Sequence, residues 1–539
     1  MSVARILIAT GAVAVLGAAG YAGTNIYITH QIKAAIDQNI ARLPAGVSAK
    51  YASVDYSLIG NKTSVNGLTL VFPYLGSSTT LTVARLDVVN GSTNLGDSFA
   101  QLQANPALAT KDMVLPVADK IEVNGLTAVS ARLNASLVSA EIEGVRLHPW
   151  SLFQPGIPSL AEEIRLLSLP PVLFLPNDRN AVSLLTQLGG VAGQLRLAAA
   201  VSLAIDYDHA SQESIKETVH VDATERTPAT DFSVSYGTIV APEGFHQGLL
   251  GAADATNIEE SLSGKFGLKI ANTHLGSSDF RDAAQQLVAG APLSPALANN
   301  LKIGAITASG ITVQTPMAGT IPIADIGFDS FAFANGLPDS GHFAVHRIQL
   351  TNEQLGAVFQ GAGTVQMLEQ LGLHGLTYSA EIGFRWDLDQ QSLVLDRTSV
   401  TIDELGSLAL DARLDGIKPF AAISDVTNTA TLDHATIHYT DASFMNRTLD
   451  TIAKMRQLDP ETLRMSIVTV IQARGAALGN DPAITSLVAA LTSFVQSPKS
   501  LTVTAAPKTP VMLTDLPGLK NQAPPEIVGT LGLSAVAGP

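Results

Sequence analysis

Cysteine is absent from the 539 residues. That excludes disulfides, thiolate metal sites, cysteine nucleophiles and a lipid-modified N-terminal cysteine. Charge is scarce too: 15% of residues are Asp, Glu, Lys or Arg, against roughly 25% in an ordinary soluble domain. With 32 basic residues against 47 acidic ones the net charge is −15. No run of Lys and Arg offers a phosphate-binding stripe, so nucleic acid is not a partner. Apolar residues make up 46% of the chain, too many for disorder to dominate.

The apolar content is concentrated first at the N-terminus. Residues 6–28 carry no charged side chain. As a helix they would reach about 35 Å, enough for a ~30 Å hydrocarbon core with some tilt. Arg5 precedes this stretch, and Tyr21 and Tyr27 stand near its far end, the order of an anchor with a cytoplasmic N-terminus. A cleaved signal peptide is the alternative, with residues 6–16 as its apolar region and Gly20-Tyr21-Ala22 offering small residues for cleavage. Either reading exports the rest of the chain, and the composition points to a bacterial periplasm.

Ile28, Ile32, Ile36 and Ile40 stand at i+4 spacing and predict a helix ended by Pro44 and Gly46. The period then changes to two. From Val47 to Val89 apolar and polar residues alternate between Gly, Asn and Ser turns, the mark of half-buried strands. Within this pattern Val65-Asn66-Gly67-Leu68-Thr69 recurs as Val123-Asn124-Gly125-Leu126-Thr127. Weaker copies are Ala308-Ser309-Gly310-Ile311-Thr312 and Leu373-His374-Gly375-Leu376-Thr377. A glycine there suits a bulge or bend where a strand enters a long sheet.

Residues 149–180 are interrupted by Pro149, Pro155, Pro158, Pro170, Pro171 and Pro176, which keep the segment out of central strands. Trp150, Phe153, Leu173 and Phe174 lie among them. They read as a linker packed over a core, or as an apolar lip that touches a lipid or partner. The clearest strand alternation runs through Phe384, Trp386, Leu393, Leu395, Val400, Ile402, Leu408, Leu410, Ala412 and Leu414, with turns at 389–392 and 403–406. Three helices come next: a stripe of Met445, Leu449 and Ile452, a second helix behind Asp459-Pro460, and a third behind Asp481-Pro482. Strand period returns at Leu501, Val503 and Ala505, and the stretch from Gly518 reads as a loose tail.

The expected fold is α+β and predominantly antiparallel β: elongated, curved amphipathic sheets with an N-terminal membrane helix and a C-terminal three-helix insertion. The segments are an anchor or signal (1–30), a helix and β region (31–148), a Pro-rich connector (149–180), a middle α+β region (181–330), an antiparallel meander (331–440), a helical unit (441–498), and terminal strands with a loose tail (499–539).

Catalytic motifs are missing. His342/His346 and His434/His438 have the i+4 spacing that binds zinc on a helix. Both pairs lie in alternating segments, where four residues span about 13 Å, too far to share one ion. No Walker loop, dinucleotide fingerprint or Gly-x-Ser-x-Gly elbow occurs. Asp387, Asp389 and Asp396 surround a hairpin, where aspartate holds backbone turns. No catalytic, metal or cofactor residues are assigned. The candidate apolar contacts are Trp150, Phe153, Leu173, Phe174, Phe384 and Trp386.

The opening Gly20-Tyr21-Ala22-Gly23, the helix to Leu43, Tyr51-Ala52-Ser53-Val54-Asp55-Tyr56, Val65-Asn66-Gly67-Leu68-Thr69 and the later meander together resemble the AsmA-like and DUF945 (YdgA-like) envelope proteins of Gram-negative bacteria. The resemblance covers the N-terminal third best and the C-terminal helices least. It implies groove-shaped β-sheets linked to phospholipid movement and outer-membrane maintenance, with no catalytic residues to transfer. The functional expectation is a non-catalytic protein on the bacterial inner membrane, single-pass, with its bulk in the periplasm. It would handle a phospholipid or other lipid on an apolar sheet face. The alternative is an envelope scaffold or assembly factor that binds a protein partner.

Overall fold

A computed structural model describes residues 25–41, 43, 46–74, 77–92, 95–157, 190–221, 229–263, 265–299, 301–334, 337–359, 362–387, 389–417, 429–479 and 481–538. The expected anchor through residue 24, and Leu173 and Phe174, lie outside these residues. Among the described residues the fold is mostly antiparallel sheet, 50% strand and 28% helix. Among the described residues no helix is long and apolar enough to cross a membrane. The chain forms two compact units, Met1–Ala305 and Ile306–Pro539.

In the first unit the isoleucine stripe forms α1 (Asn25–Ala41). Its Ile32 and Ile36 bury into one core with Val54, Val65 and Leu81. The Tyr51 hydroxyl donates to Asp37 Oδ1 at 2.6 Å. Burial and that carboxylate push the phenol up to about 12. Strands β1 (Ser48–Lys50) and β2 (Ser53–Ser57) both pair with β3 (Lys62–Tyr74). The antiparallel ladder continues through β4 (Ser77–Val89), β5 (Leu115–Val129) and β6 (Leu133–Leu147). It passes on through β8 (His209–Val221), β9 (Thr230–Ala241), β12 (Ala253–Leu262) and β13 (Phe266–Leu275). The short strands β7 (Ile205–Tyr207), β10 (Phe245–His246), β11 (Leu249–Leu250), β14 (Ser278–Asp279) and β15 (Lys302–Ile303) pair at its margin.

The recurring phrase has a structural meaning. A regular strand buries every second residue. Here Val65 and Leu68, Val83 and Leu86, Val123 and Leu126, and Leu137 and Ala140 are all buried at a spacing of three. Each strand thus shifts its alternation at one row, and neighbouring strands shift together. Asn66 still faces Arg85 and Leu68 still faces Val83, so register is kept. The row is made possible by left-handed residues on every second strand: Gly67 at φ +60°, Gly125 at +62°, Ser214 at +52° and Asn257 at +50°. The glycines stand inside their strands, not at strand entries. Gly310, in the second unit, is also left-handed at +63°. Gly375 is not, and opens its strand where a Cβ would meet Leu350 O at 2.5 Å.

The second unit is a meander. Strands β16 (Ile306–Thr315), β17 (Gly319–Phe328), β20 (Ser340–Thr351), β21 (Gly375–Asp387), β22 (Ser392–Ile402), β23 (Gly406–Asp415) and β24 (Thr431–Asp441) pair in succession. The short strands β18 (Phe331–Ala334) and β19 (Leu337–Pro338) form a side hairpin between β17 and β20. The expected turns connect β21 to β22 and β22 to β23, and Asp387 Oδ1 accepts from Gln390 N at 3.1 Å in the first. Both histidine pairs sit on strands, β20 and β24.

The three C-terminal helices are α7 (Phe444–Arg456), α8 (Pro460–Ala477) and α9 (Pro482–Gln496), where α2 to α6 are Leu95–Ala104, Gly190–Ala204, Arg281–Val288, Asn352–Phe359 and Ala362–Gln370. Asp459 and Asp481 cap α8 and α9 by accepting from Thr462 N at 3.0 Å and Ala483 N at 2.8 Å. After the helices, β25 (Ser500–Ala505) rejoins β24, and β26 (Val511–Met512) pairs with it too. The stretch expected to be a loose tail is ordered. Pro524–Leu531 is helical, Gly532 turns the chain at φ +57°, and β27 (Leu533–Gly538) pairs with β25 along its length. Small residues read as a loop in sequence, yet Ala535 is buried once the ladder forms.

Candidate functional site

Alternation within the meander of the second unit puts one apolar face on the sheet. Helices cover part of it. Leu355 of α5 and Leu368 of α6 pack with Leu350, Leu405, Ile348, Tyr378 and Ile402. Phe494 of α9 meets the Tyr439 ring edge-on at 5.8 Å. Between these covered ends the face stays open: Phe343 is 38% exposed, Ile382 53%, Val400 46%, Leu408 48% and Ile437 44%. Register ties these residues together. Phe343 stands opposite Ile382, Val400 opposite Leu408, and Leu410 opposite Ile437. Isolated exposed apolar residues are ordinary, but a run across five strands is not.

Aromatic rings border the open stripe. Phe328 lies 5.4 Å from Phe331 and 6.3 Å from Phe343, and Phe331 lies 5.5 Å from Phe333, between ring centroids. Phe384 stands opposite Leu395 and Trp386 opposite Leu393. Both expected contacts of the meander are half-buried on this face. Trp386 N also donates to Asp339 O at 2.8 Å.

Trp150 and Phe153 belong to the other unit. Trp150 packs against the cluster of Ala199, Ala200 and Leu203 of α3 with Ala284 and Val288 of α4, and Lys111 Nζ lies 5.7 Å from its ring. Phe153 meets Phe99 at 5.8 Å. Both rings therefore have protein neighbours, and residues 158–180 of the Pro-rich connector lie outside the described residues. The sequence reading did not single out Phe343 and Ile382, because their adjacency is a product of strand pairing. Aromatic density at Phe328, Phe331, Phe333 and Phe343 was the available signal.

A polar hub in the first unit was also not singled out. Asp206, at the centre of β7, is buried. Arg146 donates to Asp206 Oδ1 at 2.8 Å and to Asp208 Oδ2 at 3.1 Å. His148 Nε2 lies 3.1 Å from Asp206 Oδ2, and His246 Nδ1 lies 2.8 Å from Oδ1. Burial pushes the Asp206 carboxyl up, but Arg146, His246 and His148 outweigh it and hold the carboxyl below its ordinary value. Ligand atoms of Asp206, Asp208 and His246 lie within 4.8 Å of one another, as a metal would need. The Arg146 guanidinium already supplies the countercharge on both carboxylates. The arrangement fits an ion-pair hub that joins β6, β7 and β10.

A family model described as "Uncharacterized protein" matches residues 399–538. The match begins inside β22 and takes in β23, β24, the three helices and the returning strands. No curated protein and no solved structure matches the chain.

Proposed function

We propose that this chain is a non-catalytic protein of the bacterial envelope. Its N-terminal segment anchors it in the inner membrane, and its periplasmic bulk holds a phospholipid or another apolar molecule on the sheet of the second unit. The observation that carries the reading is the open stripe of Phe343, Ile382, Val400, Leu408 and Ile437. Water against such a surface costs about 25 cal/mol per Å², which an acyl chain laid across it would recover. No bond need be made or broken. The uncharged run at residues 6–28 supports the anchor, and the resemblance to AsmA-like and DUF945 proteins supports the envelope setting.

The test is native mass spectrometry of the purified full-length chain, with extraction and identification of bound lipid. Stoichiometric lipid that is lost when Val400 and Leu408 both become aspartate supports the reading. A lipid-free protein overturns it and favours the scaffold that binds an envelope partner.

A further inference from the structure

Two histidines in the second unit share one carboxylate. His342 and His346 lie on β20, and Glu381 of β21 stands opposite Ala344 between them. His342 Nε2 is 3.5 Å from Glu381 Oε2, and His346 Nε2 is 3.4 Å from Glu381 Oε1. The other nitrogen of each ring meets a further acid. His346 Nδ1 is 2.5 Å from Asp325 Oδ1 on β17, and His342 Nδ1 is 3.2 Å from Asp329 Oδ2 just beyond it. His346 thus faces a carboxylate at both nitrogens. A neutral imidazole has one N–H, so one lone pair always points at an anion; protonation makes both nitrogens donors.

The surrounding charges leave that imbalance in place. Arg397 of β22 lies 3.5 Å from Asp329 and 4.0 Å from its neighbour Asp396. Arg385 shares the Glu381 face of β21 by strand alternation, opposite Ser340. Arg347, next to His346, turns away to Asp403 at 3.0 Å. His342 Nε2 is closed off from solvent and makes no hydrogen bond among the described residues.

We propose that His346, held between Asp325 of β17 and Glu381 of β21, forms a proton-operated clasp across β17, β20 and β21 that tightens in acid and loosens toward alkaline pH. The Asp325 hydrogen bond and Glu381 outweigh desolvation and raise His346 above an ordinary imidazole. A raised histidine contributes stability that is fully present below the unfolded value of about 6.5, and lost as pH rises through the folded value. The clasp lies on the polar face of the sheet and does not depend on the lipid reading.

The experiment is hydrogen exchange of the full-length chain between about pH 5.5 and 8, corrected for intrinsic exchange and read at peptides from β20 and β21. Protection there is expected to fall about three- to tenfold as pH rises. In Glu381→Gln this dependence is expected to weaken, because Asp325 still raises His346, while peptides from Met1–Ala305 behave as in the parent chain. An equal dependence in parent and variant overturns the proposal. Should the variant fail to fold, imidazole titration of the parent by NMR decides it. His346 titrating above about 6.5 supports the clasp, and at or below that value overturns it.

Discussion

The Phe384 ring lies over Gly341. A Cβ added at Gly341 would come within 2.6 Å of Phe384 Cε1 and 2.8 Å of Cζ, so the missing side chain on β20 makes room for the ring from β21. Gly341→Ala is expected to displace the ring and to cost about 1–3 kcal/mol, the usual penalty of overpacking. In the Phe384→Ala background the same change should cost much less. Urea unfolding of the four proteins of this cycle checks it, and additive losses would show that the two residues do not compete for space.

The shared shift in strand alternation makes a signed prediction. Gly125→Ala forces a side chain into left-handed backbone at φ +62° and to 2.9 Å from Ala84 Cβ. It should destabilise the first unit by about 2 kcal/mol. Ser214→Gly places glycine at the equivalent row on β8, where φ is +52°. That change should stabilise by up to about 1 kcal/mol. Chemical denaturation of both variants measures the two signs.

The hub around Asp206 should be sensitive to loss of one partner. Arg146→Met leaves two carboxylates facing each other at a partly buried site, and a loss of about 1–3 kcal/mol is expected. Because the folded Asp206 carboxyl lies below its ordinary value, its contribution exists above an unfolded value of about 3.9. It is lost as pH falls through the folded value. Asp206→Asn should therefore narrow the stability gap to the parent protein as pH drops from 6 to about 3. Thermal melts across that range test the sign.

The open stripe predicts that binding and stability separate. Val400 and Leu408 are nearly half exposed, so Val400→Asp and Leu408→Asp should each change stability by less than about 1 kcal/mol. Retained apolar ligand should fall sharply in both, as read by lipid extraction and mass spectrometry. A large loss of stability with unchanged ligand would mean that the stripe is core.

Much of the secondary structure was legible because it depends on near neighbours. The i+4 isoleucines of α1, the Asp-Pro starts of α8 and α9, and the alternation through Leu408 and Leu410 each reflect a local period. The C-terminal strand Leu533–Gly538 was not legible, since its partner Ser500–Ala505 lies about thirty residues away and its alanines carry little β signal of their own. The glycine of the recurring phrase was visible, but its role was not. Burial at a spacing of three is read correctly only when the neighbouring strand shifts at the same row.

Sequence alone determined the class of this protein: a cysteine-free, charge-poor chain of amphipathic antiparallel strands, with an uncharged run at residues 6–28 and three helices near the end, two of them behind Asp-Pro starts. Composition and period decide such properties, and both are written along the chain. The tertiary structure decided which apolar residues stay open, that Trp150 packs inside its own unit while Phe384 and Trp386 flank the stripe, and that His342 and His346 meet through Glu381. These depend on strand register and on which helix covers which face. A side chain's exposure and charge partners come from residues distant in sequence, which no local pattern specifies.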